Sequence, residues 1–223
     1  MEIEIKGNSY SVFDNLDFYY IFLITYMFAS LFCFIIDICC PHWRANKTLL
    51  SRKKIIEDYC DMTPVVSKNL VLAYPYFYIF DKCLTTLKYY NNNYFMINFV
   101  FWLLLTDVLF YSIHRMFHKK NLYWLHSLHH KYKYTYGIGA IYASVPDFYF
   151  ANLFPISVPM YIFAIPQYQC KLIIIFTTSY TVIISHGGFK MFTGHLMHHL
   201  KSRVNYGLIN MDKILGTKYK SIK

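Results

Sequence analysis

YFMINFVFWLLLTDVLFYSIHRMFHKKNLYWLHSLHH, residues 94–130, passes directly from an apolar stretch into five histidines. Tyr94 to Ile113 is long and apolar enough to read as a helix crossing a bilayer, so it delivers His114 to the membrane surface. His114 and His118 are four apart and would share a helix face. The run His126-SL-His129-His130 is repeated at His195-LM-His198-His199, and nine of the ten histidines lie between His114 and His199. If helical, each run turns its imidazoles to one side. Neutral imidazole is the commonest protein metal ligand and suits iron, zinc, copper and nickel. Three such faces together with His186 are therefore expected to enclose two metal ions. His42, isolated beside Pro41 and Trp43, reads as interfacial and not as a ligand.

Outward from this stretch, hydrophobic residues make up 56% of the chain and charged residues only 15%. That apolar surface exceeds what a soluble domain of this length buries, so membrane is the expected solvent. The reading is all-α: an integral membrane helical bundle of about four to five spans, with a cytoplasmic histidine-rich helical cap. Phe18 to Cys40 is the clearest span. Leu70 to Leu87 is a weaker one, containing Pro75, Asp81 and Lys82 and followed by a turn at Asn91-Asn92-Asn93. Ile141 to Ile165 and Cys170 to Ser185 form an apolar hairpin, spanning or re-entrant, that returns His186 and the last run to the face of the first. Residues 1–93 thus supply N-terminal spans and a basic loop, and residues 94–223 the histidine-bearing domain.

Arg44, Lys47, Arg52, Lys53, Lys54 and Lys68 crowd the loop after the first span, whereas Glu2, Glu4, Asp14 and Asp17 precede it against Lys6 alone. The positive-inside rule places that loop, and with it the histidines, on the cytoplasmic side. The first seventeen residues are polar and acidic, so no cleavable signal is expected. The net charge of +10 fits adherence to anionic headgroups and not nucleic acid, because the basic residues flank apolar spans. Six cysteines without a CxxC pair read as buried free thiols. Asp107 lies inside an apolar span two helical turns before His114, where a carboxylate is costly unless paired. It is expected to orient His114 or a neighbouring ligand from behind. Asp147 and Asp212 are further candidates for that work. The HExxH pattern of zinc hydrolases is absent.

The order Asp107-VLF-Tyr111-SI-His114-Arg115-MF-His118, Leu122-YWL-His126-SL-His129-His130 and His195-LM-His198-His199, followed by Asn205-Tyr206-Gly207, Asp212 and Gly216-Thr217, resembles the fatty acid hydroxylase/sterol desaturase superfamily. Within it, HHKYKYTYGIGAIYASVPD, residues 129–147, is similar to the segment after the second cluster in 4-methylsterol monooxygenases, as is His186-Gly187-Gly188-Phe189 to their His-x-Gly-aromatic element. The resemblance implies an endoplasmic reticulum membrane enzyme with a non-haem di-iron site open to the cytoplasm. Its ligands would be His114, His118, His126, His129, His130, His186, His195, His198 and His199. It further implies that dioxygen is the co-substrate and that a sterol C4-methyl group, or another sterol or fatty acyl C–H bond, is oxidised. Electrons would come from a carrier such as cytochrome b5 and an NAD(P)H reductase, since these 223 residues hold neither a glycine-rich dinucleotide motif nor a haem-binding segment. The family commonly has His-Pro-x-Glu where this chain reads Ser144-Val145-Pro146-Asp147, which would leave one coordination position unfilled.

Overall fold

The computed structural model describes residues 17–45, 51–85 and 94–220. Glu2, Glu4, Lys6, Asp14, Lys47 and the expected turn at Asn91-Asn92-Asn93 lie outside them. Among the described residues every regular element is helical, and the one β-bridge is isolated. Helix α1 (Phe18–Cys39) is an uninterrupted apolar run and ends just before Pro41, whose missing N–H cannot continue it. Helix α2 (Arg52–Thr85) absorbs the expected weaker span into one 34-residue helix that passes through Pro64 and Pro75. Helix α3 (Phe95–Phe117) carries the opening stretch to its end at His118.

The segment from Ile141 to Ile165, expected as one arm of a hairpin, is not a single helix. It breaks into a 3-10 turn (Gly137–Ile141), the short α5 (Val145–Asp147), a π turn (Phe148–Leu153) and α6 (Phe154–Ile162). Pro146 falls at the start of α5, Pro155 follows the π turn, whose wider bore accommodates the crowding of the carbonyl four residues before it, and α6 runs on through Pro159. Helix α7 (Gln167–Ser179) likewise passes into a π turn (Tyr180–Ser185) immediately before His186.

Three helices, Phe18–Cys39, Met96–Phe117 and Gln167–Ser185, are long and apolar enough to cross a membrane. The chain is an integral membrane protein. All three run toward the histidines, so the connecting segments must run back. Helix α2 begins at the histidine end, where Tyr136 Oη donates to Asp58 at 2.6 Å and Lys131 Nζ to Asp61 at 2.5 Å. Its far end packs Phe80 on Phe18 of α1. Residues 148–162 also return, with Trp102 Nε1 donating to the Ile156 carbonyl at 2.9 Å and Phe163 packed on Phe101. These two returning segments are more polar or more broken than the three long apolar helices, which is why three spans stand out by length and composition among the described residues beside the four to five expected.

The core lies where α1, α2 and α7 meet, around Phe22, Tyr26, Cys33, Met62, Phe77 and Ile173. The outer faces expose Phe28, Val71, Ile79, Met96, Leu104 and Ile162, a surface that only hydrocarbon suits. Cys33 and Cys170 are buried as expected, but Cys39, Cys60 and Cys83 point outward. Arg44, read from sequence as a loop charge, is buried. Its guanidinium bonds the Asp37 carboxylate and donates to the Thr135 carbonyl at 2.7 Å, and Tyr59 Oη donates to Asp37 at 2.9 Å. Ala45 N donates to the Gly188 carbonyl at 3.0 Å and Lys190 N to the Trp43 carbonyl at 2.9 Å. The end of α1 is thereby stitched to the loop after His186. Gly188 has φ +70°, and a Cβ there would sit 2.9 Å from the guanidinium, so only glycine lets Arg44 close on this loop.

Candidate metal centre

The end of α3 presents His114 and His118; the one-turn helix α4 (Tyr123–His126) and a 3-10 turn (His129–Lys131) present the second run. The π turn presents His186, and α8 (Gly194–Lys201) presents the third run. The nine imidazoles form two groups, each with its ligand atoms within 4.8 Å of one another and able to hold a metal ion. His114, His118, His126, His130 and His198 form one, and His129, His186, His195 and His199 the other. The expectation that each run keeps to one face is therefore corrected. Adjacent helical residues point about 100° apart, so His129 and His130 separate, as do His198 and His199. The groups abut, with the His130 and His199 rings stacked at 4.6 Å.

The tautomers follow from the partners. His114 Nδ1 bonds the Tyr206 carbonyl at 2.8 Å, His198 Nδ1 that of Val204 at 2.7 Å and His199 Nδ1 that of Tyr132 at 3.2 Å. His129 Nδ1 reaches the Tyr142 carbonyl at 3.2 Å and His186 Nδ1 the Thr181 carbonyl at 3.0 Å. Carbonyls only accept, so each Nδ1 holds the proton and each Nε2 keeps its lone pair. Those Nε2 atoms face one another: His114 and His126 at 3.1 Å, His130 and His198 at 3.0 Å, His118 and His198 at 3.1 Å, His129 and His186 at 3.3 Å, His195 and His199 at 3.1 Å. His129 and His186 both hold their protons on Nδ1, so no proton lies between their Nε2 atoms and this contact repels unless a cation lies between them. Metal–nitrogen bonds of 2.0–2.1 Å place neighbouring ligands about 2.9–3.4 Å apart, so the donor set fits two metal ions. Burial lowers the imidazole pKa to about 3 at His118, His186 and His198 and about 4 at His129, and depresses His126, His130, His195 and His199 as well. The ligands are neutral at pH 7.

The three candidate carboxylates divide the supporting work differently from the expectation. Asp147 is the direct partner: its Oδ2 accepts from His126 Nδ1 at 2.8 Å. Asp107 touches no histidine among the described residues. It accepts from the backbone N–H groups of Leu208, Ile209, Asn210 and Met211 at 2.8–3.1 Å, which explains how a carboxylate is tolerated inside α3. Asp212 accepts from Tyr206 N at 2.8 Å, Gly207 N at 2.6 Å and Thr217 Oγ1 at 2.7 Å. Together they pin the loop whose Val204 and Tyr206 carbonyls orient His198 and His114. Ser144 faces no imidazole. Its hydroxyl donates to the Leu125 carbonyl at 2.5 Å and caps α5 by accepting from Asp147 N at 3.3 Å. It thus aims Asp147, and the two groups carry five and four imidazoles without it.

His114, His126, His129, His186 and His195 line a mostly apolar cavity of about 170 Å³ that reaches down to Trp102 within α3. The two π turns widen its walls, contributing Ala151 and Asn152 from one and Tyr180, Thr181 and Ser185 from the other. The model of the fatty acid hydroxylase family matches residues 99–217, more than half of the chain. The chain belongs to the fatty acid hydroxylase family. All nine clustered histidines and the three carboxylates of this fatty acid hydroxylase domain fall inside the matched residues. Among curated proteins it is similar to the fatty acid hydroxylase ahd1 of Mycosarcoma maydis, at 25% identity over 195 residues, which is 79% of this chain and 50% of that protein. The chain spans about half the length of that relative. No solved structure matches it.

The sequence did not reveal Arg44 and Asp37, although a signal was present: Asp37 is a carboxylate in an apolar span, the same feature that drew notice to Asp107. The orienting carbonyls left no trace, because any residue supplies one.

Proposed function

We propose that the chain is a dioxygen-dependent lipid hydroxylase whose nine histidines hold two iron ions, His114, His118, His126, His130 and His198 one of them and His129, His186, His195 and His199 the other. The observation that carries the reading is the convergence of imidazole Nε2 atoms at the head of a cavity whose remaining surface is mostly apolar. Iron bound there supplies dioxygen activation, which side-chain acid–base chemistry cannot provide for an unactivated C–H bond. In the overall reaction one oxygen atom enters the C–H bond and the other leaves as water, with two electrons and two protons drawn from a carrier protein, cytochrome b5 with its NAD(P)H reductase being the class expected. The apolar walls hold the lipid and exclude water from the oxidising centre. Asp147 fixes the tautomer and orientation of His126, and the 204–217 loop does the same for His114 and His198.

The cavity favours a fatty acyl chain as the group oxidised. Its 170 Å³, close to a space that admits one benzene ring, takes a thin chain a few methylenes at a time but not the breadth of a fused ring system. A sterol C4-methyl group is the second reading, motivated by the likeness of residues 129–147 to 4-methylsterol monooxygenases. It requires the cavity walls to part. The test is oxygen-dependent turnover by iron-loaded protein supplied with reductant and carrier, using acyl lipids and sterols in parallel. Hydroxylated acyl product, lost in the His129→Ala/His198→Ala double variant, supports the first reading. Oxidised sterol methyl alone supports the second, and full activity in the double variant overturns both.

A further inference from the structure

A second chamber adjoins the apolar cavity and differs from it in chemistry. It has about 380 Å³ and is lined by polar and apolar surface in similar measure, and the two share Tyr180, Ser185, His195, Leu208 and Ile209 as walls. His195 therefore stands at the neck, facing both. The chamber also has Thr193, Asn205, Asp212 and Lys218 along its sides. The Asp212 carboxylate is turned to Tyr206 N, Gly207 N and Thr217 Oγ1, three donors that offset part of its charge. The Asn205 amide is likewise committed, donating to the Gly194 carbonyl and accepting from Tyr219 N. What the chamber offers a ligand is the Lys218 ammonium with the hydroxyls of Thr193, Ser185 and Tyr180. The surroundings have the same sign. Between His118 and Lys220, Asp147 and Asp212 are the only acidic residues and both are buried, whereas Lys190, Lys201, Arg203, Lys213, Lys218 and Lys220 are exposed. A concavity in a field of one sign concentrates ligands of the other.

We propose that this chamber is a headgroup site for an anionic amphiphile, a carboxylate or phosphate bound near Lys218 and Thr193, with its chain passing His195 into the apolar cavity. Because the neck is also where the histidines gather, the carbon oxidised lies among the first few beyond the head and not at the chain's far end. The far end points toward Trp102, twelve residues or roughly 18 Å along α3 from His114. The proposal rests on the apolar cavity being the substrate site, and the experiment separates the two.

The full-length protein in neutral-lipid nanodiscs is photolabelled with two fatty acids of equal length, one carrying a diazirine beside the carboxylate and one at the chain end. The head-proximal probe is expected to label residues 191–195 and 205–209, and the chain-end probe residues 102–110. Reversed labelling, or head-proximal labels elsewhere with the chain end still at 102–110, overturns the headgroup site alone. Labels confined to the outer helix faces for both probes overturn the cavity reading as well. Lys218 is exposed, so Lys218→Glu leaves the fold intact and is expected to reduce labelling by the head-proximal carboxylate about fivefold relative to its alcohol analogue. An unchanged ratio overturns the anionic preference, and inorganic phosphate competing with the carboxylate probe but not with the alcohol distinguishes charge recognition from chain burial.

Discussion

The five imidazoles gathered around His198 and the four around His199 divide the second and third sequence runs between them, the first run going to the His198 group and His186 to the other, and they lean on different parts of the molecule. The His198 group is held by the C-terminal loop, through the Val204 and Tyr206 carbonyls, and by Asp147. That loop is pinned in turn by Asp107 and Asp212. The His199 group is held by the carbonyls of Tyr132, Tyr142 and Thr181, which belong to segments fastened to α1 and α2 through Arg44, Asp37, Tyr136 and Asp58. One half of the centre thus depends on the end of the chain and the other on its beginning. The N-terminal helices do more than anchor the protein in a bilayer, because they shape one of the two groups.

This asymmetry can be attacked from either side. The largest effect is expected from Arg44→Met, which leaves Asp37 buried without its cation and should cost about 3–5 kcal/mol. Thermal unfolding in detergent should show that loss, and metal should leave the His199 group first; equal loss from both groups would erase the distinction. Asp107→Asn weakens four charge-assisted bonds to the loop and should cost about 2 kcal/mol, with metal loss confined to the His198 group. Asp147→Asn replaces the carboxyl group behind His126 with an amide and should lower metal affinity of the His198 group by about 10- to 100-fold in a chelator competition. Ser144→Ala should be mildest, at about 1 kcal/mol for the lost cap, with metal content unchanged. A lost metal equivalent in Ser144→Ala would show that the hydroxyl does more than aim Asp147.

Much of this was legible in the sequence, and what was hidden was hidden for physical reasons. Spacing and residue type disclosed the histidines, because a metal site must spend particular side chains. Apolar length disclosed α1, α3 and the helix leading to His186. The division of each HxxHH run was not legible, since it depends on where α4 stops and a 3-10 turn begins. Asp107 was recognised as important but assigned the wrong neighbour: its partners are backbone amides about one hundred residues away, and amides carry no sequence signature. Arg44 was read as a surface charge because hydropathy counts a charge without seeing the carboxylate seven residues earlier that buries with it. Residues 141–165 were read as one arm of an apolar hairpin, and only the structure shows the π turn that helps line the cavity.

The most direct test is the metal content of the purified chain beside His195→Ala and His198→Ala, each of which removes one ligand from a different group. About two metal ions per chain are expected in the unchanged protein and about one in each variant, with nitrogen-only ligation at about 2.1 Å by X-ray absorption. Fewer than about one ion in the unchanged protein, or full loading of both variants, would contradict the assignment of the nine histidines to two metal sites.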